Sequence, residues 1–181
     1  MKIALQGLVV ITFSALLAGA VLTDQGSERP EKLLGLMTFL PVDDEIPGWK
    51  CSAKLLRASN EEELYRIFNG GASLYIQHGF RSFAGQSYKG PKRTELEVYL
   101  FDQGTSQTAG DLYENPYAKP LRMEAIADLG EKARIDSTPL FAYGVDLIQK
   151  GFFVRVIIQD KTEEGLNVAI SFARSISKRI K

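Results

Sequence analysis

The chain has one cysteine and one histidine among its 181 residues, and its 22 Lys+Arg balance 22 Asp+Glu. Each shortage excludes something. Cys51, alone, forms no internal disulfide, so the fold is not a disulfide scaffold. His78 and Cys51 together cannot furnish a His/Cys metal cage, so any metal would rest on carboxylates or carbonyls. We expect no metal and no other cofactor. Zero net charge removes the basic excess that nucleic-acid binders carry, and no nucleic-acid partner is expected. There is no G-x-S-x-G elbow, no phosphate-loop spacing, no internal repeat and no low-complexity run. What is present is ordinary globular material, 45% hydrophobic and 24% charged, enough for one domain with a real core.

The first residues read as an export signal. After Met1-Lys2, the stretch from Ile3 to Leu22 has no charged residue, and Ala18-Gly19-Ala20 offers a small-residue cleavage site. An uncleaved anchor over residues 3–22 is the competing reading, since about 20 apolar residues span a bilayer. Both readings place the body on the far side of the membrane, periplasmic or secreted, with Lys2 left behind. No cysteine follows Ala20, which excludes a lipoprotein. The division is therefore 1–20 signal or anchor, 21–39 linker with room for a short helix, and 40–181 a single domain.

Within the domain, periodicity changes from element to element. Trp49 to Leu56 reads as a first strand, with Cys51 a small buried residue on it. Ser59 or Asn60 opens a helix, with Glu62 or Glu63 three residues on to close a capping box, and Leu64, Ile67 and Phe68 follow at helical spacing. Asn69-Gly70-Gly71 interrupts it as a backbone kink, and Ala72 to Gln77 resumes the pattern. Arg81 to Tyr88 is a second strand and Thr94 to Phe101 a third, in which Leu96, Val98 and Leu100 alternate with Glu95, Glu97 and Tyr99. Ser106 to Tyr113 reads as a short helix, with loop onward through Met123 and a short strand or irregular link over Glu124 to Ala133. Leu140 to Gln149 and Phe152 to Gln159 form a hairpin about Lys150-Gly151, its second strand central because it is almost continuously apolar. Lys161 to Lys181 closes the chain as a helix with a stripe of Leu166, Ala169, Ile170, Ala173, Ile176 and Ile180. Strands joined by short turns predict a mostly antiparallel sheet with helices packed on it, an α+β sandwich.

Candidate chemistry is sparse. Glu95 and Glu97 share a strand face about 6.5–7 Å apart, the proximity a carboxylate-dependent hydrolase would need inside a cleft. A flanking Lys92 and Arg93 suggest instead a solvated edge. His78 and Cys51 make one Cys–His pair arithmetically available, in no nucleophile motif. We expect no catalytic residue. The aromatic supply suits a core first, rings bridging helix and sheet with a wet hydroxyl; as the alternative, Trp49, Tyr65, Tyr75 and Tyr88, with His78 beside them in sequence, are the candidate ligand contacts.

The residues Gly48-Trp49, the run Glu63 to Ala72 with its Leu-Tyr-x-x-x-Asn-Gly-Gly-Ala core, Tyr75, Gly79-Phe80, Tyr88, Leu96 to Phe101 and Ala109 to Tyr113 resemble the bacterial exported family called domain of unknown function 6599. The resemblance runs from about Leu40 to the end. It implies export and a fold similar to the PsbP-like α/β/α sandwich of non-catalytic accessory proteins, and it implies no reaction. The expectation is a non-enzymatic extracytoplasmic binding or accessory module whose partner is an envelope protein or a small ligand. The membrane would touch it only through residues 3–22. An envelope hydrolase built on Glu95, Glu97 and His78 is the rival.

Overall fold

The computed structural model describes residues 35–180. The expected signal or anchor, the linker up to residue 34 and Lys181 lie outside them. In the rest, chemistry sets the boundaries of each element. β1 (Lys50–Cys51) and β2 (Leu56–Ala58) both pair with β3 (Ser82–Lys89), followed by β4 (Glu95–Asp102), β5 (Met123–Ala125), β6 (Lys132–Asp136), β7 (Tyr143–Gln149) and β8 (Phe152–Ile158). Four helices are bounded within the described residues, α1 (Glu61–Phe68), α2 (Ala72–Ile76), α3 (Ser106–Glu114) and α4 (Glu163–Arg179), and residues 35–37 are helical as well.

Capping decides where helices begin. Asn60 caps α1, its side chain accepting from the Glu63 amide at 3.0 Å, while the Glu63 carboxylate accepts from the Ser59 amide at 2.7 Å. Thr105 caps α3 in a reciprocal box with Thr108, and Thr162 caps α4. Between α1 and α2, Asn69 takes φ 48° and Asn69–Gly71 forms a single 3₁₀ turn, the kink that the Asn-Gly-Gly run predicts.

Every strand pair is antiparallel, in the order β1-β3-β4-β8-β7-β6-β5, with β2 beside β1 on the β3 edge. This is an α+β single-domain fold. β8, nearly continuously apolar, lies in the middle. The β7–β8 turn puts Lys150 at φ 48° and Gly151 at φ 84°, both left-handed as a tight hairpin demands. One face of the sheet carries Val98, Leu100, Val145, Leu147, Val154 and Val156 under α4; the other carries Phe83, Phe101, Ile148 and Phe153 under α1, α2 and α3. Alternate residues along each strand therefore serve two separate cores.

Three expectations need correction. The first strand is not continuous from Trp49 to Leu56. Between Cys51 and Leu56 the edge chain has four residues where β3 has only Gln86 and Ser87, so it bulges outward and splits into β1 and β2. Cys51 is consequently exposed rather than buried. The region 124–133 is two strands, β5 and β6, joined by a turn in which Asp128 and Gly130 take positive φ. And Leu140 and Phe141 precede the seventh strand, in a loop where both are exposed.

The α4 stripe holds one further residue that the periodicity argument left out, Phe172. It is fully buried, and Trp49 and Tyr88 meet its ring edge-on at 5.6 and 4.8 Å. Trp49 in turn lies flat on Gly90, where a Cβ would come within 2.4 Å of the indole. The polar end of α4 is tied down as well: Arg179 donates to the Glu45 carboxylate and to the Phe39 carbonyl, and Ser175 donates to Glu45. Burial raises the Glu45 pKa, and the hydrogen bonds from Arg179 and Ser175 outweigh it, so the carboxyl sits below its ordinary value of 4.5.

Two outcomes follow. Phe172→Ala lowers the unfolding free energy by about 3–5 kcal/mol in urea titrations, because the ring cannot be replaced by collapse of Trp49 and Tyr88. Because the Glu45 pKa is depressed on folding, its stabilisation is present above the unfolded value of 4.5 and is lost as pH falls through the lower folded value. Glu45→Gln therefore narrows the stability difference between about pH 6 and pH 3, measured by melting temperature across that range.

Candidate functional site

The sequence candidates do not meet. Trp49 and Tyr88 are buried on the α4 face, where the Tyr88 hydroxyl donates to the Pro41 carbonyl at 2.9 Å. Tyr65, Tyr75 and His78 belong to the other face. Tyr65 is exposed, its hydroxyl 3.1 Å from Ser73 Oγ. Tyr75 stacks on Phe101 with ring centroids 3.8 Å apart. His78 pairs its Nδ1 with the Leu74 carbonyl at 2.7 Å and its Nε2 with Asn115 at 3.3 Å. Glu95 is exposed beside Lys89, and Glu97 accepts from the Tyr99 hydroxyl at 2.9 Å. Neither acid shares a hydrogen bond with His78 among the described residues. Cys51 lies at the β1 edge, its thiol pKa raised by partial burial and by Asp43, which disfavours the thiolate. No group of three His, Cys, Asp or Glu residues that could hold a metal is found among the described residues.

A charged row instead crosses the sheet beneath α3. Register aligns Arg134 on β6, Asp146 on β7, Arg155 on β8 and Tyr99 on β4 as successive cross-strand neighbours. Asp146 is wholly buried and Arg134 almost so, at 2% exposure. Arg155 grips both Asp146 oxygens, Nε to Oδ1 at 2.7 Å and Nη2 to Oδ2 at 2.9 Å, while Arg134 Nε donates to Oδ2 at 3.1 Å. The remaining donors reach backbone. Arg134 donates to the Tyr113 carbonyl at 2.7 Å, and both arginines donate to the Ala118 carbonyl at 3.1 Å. Arg134 also lies 3.9 Å from the Tyr113 ring centroid, and burial of that ring pushes the phenol up to about 12. The cluster thus clamps the end of α3 and the loop after it onto the sheet. The sequence carried a signal for the pair: Asp146 and Arg155 are the lone charges in two apolar strands and stand the same distance from the hairpin turn.

The clamped loop forms one wall of a groove. A hollow of about 420 Å³ is lined by Tyr113, Glu114 and Lys119 on one side, Met123, Ala125 and Ile126 on the other, and Lys132 to Arg134 as its floor. A second hollow of about 310 Å³ continues along α3 past Ser106, Gln107, Gly110 and Asp111 to Glu131 and Ile148. They share Glu114 and Lys132, whose ion pair at 3.0 Å forms a saddle between them, with Lys119 3.4 Å from the other Glu114 oxygen. The Lys132 ammonium, helped by that of Lys119, holds the Glu114 carboxyl below its usual range against burial, which raises it. The larger hollow has Lys119, Lys132 and Arg134 against Glu114; the smaller has Asp111, Glu114 and Glu131 against Lys132. The groove is therefore cationic and part-apolar at one end and acidic at the other. Its volume falls in the range of ligand sites. Periodicity did not find it, because Lys119, Met123 and Lys132 look like ordinary surface residues until β5 and β6 are placed.

The class so defined is a single-domain α+β sandwich with a solvent-open groove beside one helix. Among solved structures it is similar to the extracellular domain of PknH from Mycobacterium tuberculosis, with a TM-score of 0.56 at 11% identity over 82% of this chain and 95% of that one. At that identity the likeness is one of fold. No protein-family model matches the chain, and no curated protein matches it. No helix among the described residues is long and apolar enough to cross a membrane.

The buried cluster makes a sharp prediction. Asp146→Ala leaves two guanidinium groups without their counter-charge and costs about 3–5 kcal/mol in denaturant unfolding, whereas Glu62→Ala, which breaks only an exposed ion pair with Arg66, leaves the midpoint essentially unmoved.

Proposed function

We propose that this chain is a non-enzymatic module that acts outside the cytoplasm and binds a partner or ligand in the groove along α3. The observation that carries the reading is the groove itself, a preformed hollow of about 420 Å³ held open by the Arg134–Asp146–Arg155 clamp, with apolar Met123, Ala125 and Ile126 set beside two lysines. Its polar groups are held in fixed pairs, and the groups a hydrolase would recruit, Glu95, Glu97 and His78, are engaged separately elsewhere. Support for the location comes from the signal-like residues 3–22, from the motif residues similar to those of the exported family named domain of unknown function 6599, and from the fold shared with an extracellular domain. The accessory role proposed here follows the same resemblance to PsbP-like proteins.

The test uses the full chain in cells that make it. A photoreactive benzophenone side chain at position 125, on the groove lip, captures a discrete adduct, whereas the same group at position 57, exposed on the opposite sheet edge, captures none or a different one. Identical adducts from both positions contradict a groove-specific role. Turnover of ester, glycoside or phosphoester substrates that Glu97→Gln abolishes contradicts the non-enzymatic reading.

A further inference from the structure

The groove has a second property that cavity and charge alone do not express: its outer lip is a bare strand edge. Among the described residues, β5 is the last strand of the sheet and has a neighbour only on the β6 side. The hydrogen bonds identify which of its residues look outward. Ser137 donates its amide to the Arg122 carbonyl at 3.0 Å, and Ile126 donates to the Ala133 carbonyl at 3.0 Å. In an antiparallel ladder such pairs recur at every second residue, so Arg122, Glu124 and Ile126 turn their backbone groups toward β6. Met123 and Ala125 then turn theirs away from the sheet. The same two residues line the larger hollow. A strand laid against β5 would bond to Met123 and Ala125, and the residues directly opposite them would fall on the hollow's side of the sheet, because cross-strand neighbours share a face.

We propose that this edge accepts an extended polypeptide segment by strand addition, with an acidic side chain directed to Lys119 and Lys132 and an apolar one laid on Met123. This rests on the groove being the binding site. Charge selects the sign of the segment: among the described residues Lys119 and Lys132 share a single acid, Glu114, and the arginines below share a single acid, Asp146, so the larger hollow has an excess of cations. Apolar surface continues from the lip. Met123 is 48% exposed, Leu121 just before it is 91% exposed, and Leu140 and Phe141 stand out at 75% and 80% on the adjoining loop. Those loops are fixed. Arg122 donates twice to Thr138, from its amide to Oγ1 at 3.0 Å and from its guanidinium to the carbonyl at 3.1 Å, and Lys161 Nζ donates to the Ser137, Pro139 and Ala142 carbonyls within 3.0 Å. Large apolar side chains held out on an ordered backbone are what a hot spot needs, since little entropy is lost when a partner covers them.

The chain supplies its own reporter. Its three methionines are Met1, Met37 and Met123, so a methyl-labelled methionine spectrum of the full chain reads the site through one resonance and the remainder of the molecule through the others. The probe is an acetylated, amidated hexapeptide, Thr-Leu-Thr-Glu-Thr-Leu, which sets leucine and glutamate two residues apart on one face of a strand; it is titrated in parallel with its lysine-for-glutamate counterpart, with a version N-methylated at alternate amides, and with phenyl phosphate as a small anion that has no strand-forming backbone. The glutamate peptide shifts the Met123 methyl with an affinity of the order of millimolar, and the lysine and N-methylated peptides bind roughly tenfold more weakly or not at all. Lys132→Glu reverses the preference between the glutamate and lysine peptides, a readout that misfolding does not mimic. An unmoved Met123 methyl, or equal binding by the N-methylated peptide, overturns strand addition. If phenyl phosphate alone moves Met123, the groove remains a ligand site and only the strand proposal falls. If neither moves it and position 125 captures nothing in cells, the groove reading falls with it.

Discussion

A buried carboxylate between two arginines organises this molecule. Asp146 has no exposed surface, and a charge in that position is tolerable only when its counter-charges arrive with matched geometry. The register of three adjacent strands brings them: β6 supplies Arg134 from one side and β8 supplies Arg155 from the other. The arginines carry more donors than one carboxylate can absorb, and the surplus goes to the carbonyls of Tyr113 and Ala118. In this way a requirement for electrical balance inside the sheet becomes a constraint on the segment that crosses above it. A hydrophobic row would have served the core equally well, without fixing where the loop after α3 must lie. The groove exists because that loop is fixed.

The two faces of the sheet are used differently. Under α4, apolar side chains from five strands pack against a single long helix, and the polar groups at its C-terminal end are tied to Glu45, Phe39 and Gln149. Opposite, three shorter helices cover only part of the surface, with an aromatic group around Phe68, Phe83 and Phe101. The charged row and the groove lie on this less completely covered side. That asymmetry separates the two faces: one is closed by a packed helix, and among the described residues the other has a hollow, an open edge and loops with outstanding apolar side chains.

Much of this was legible beforehand, and for stated reasons. The final helix, the β7–β8 hairpin and the alternation in β4 were readable because each satisfies one rule repeatedly: helical spacing of apolar residues, a left-handed turn between β-rich runs, and period-two burial. The Asn60 cap and the Asn69 kink were readable because few residues do those jobs. The failures have a common physical origin. β6 is Lys-Ala-Arg-Ile-Asp, a strand whose burial depends on an ion pair with another strand, and hydropathy alone prices such a segment as surface. The β1–β2 interruption depends on a count of residues on a neighbouring strand that must first be placed. Aromatic rings such as Trp49, Tyr75 and Tyr88 look the same in a sequence whether they pack or bind, and here packing claims all three.

The position of β8 has a temporal meaning. The strand at the centre of the sheet is the last to be synthesised, and α4, which covers one whole face, follows it. While the ribosome is still short of Phe152, β4 and β7 each lack the neighbour that joins them, and the two halves of the sheet have no shared hydrogen bonds. A nascent chain of this topology cannot settle into its native arrangement piecemeal; it reaches that state only after β8 and α4 have emerged, and until then it remains a substrate for whatever machinery handles unfolded polypeptides.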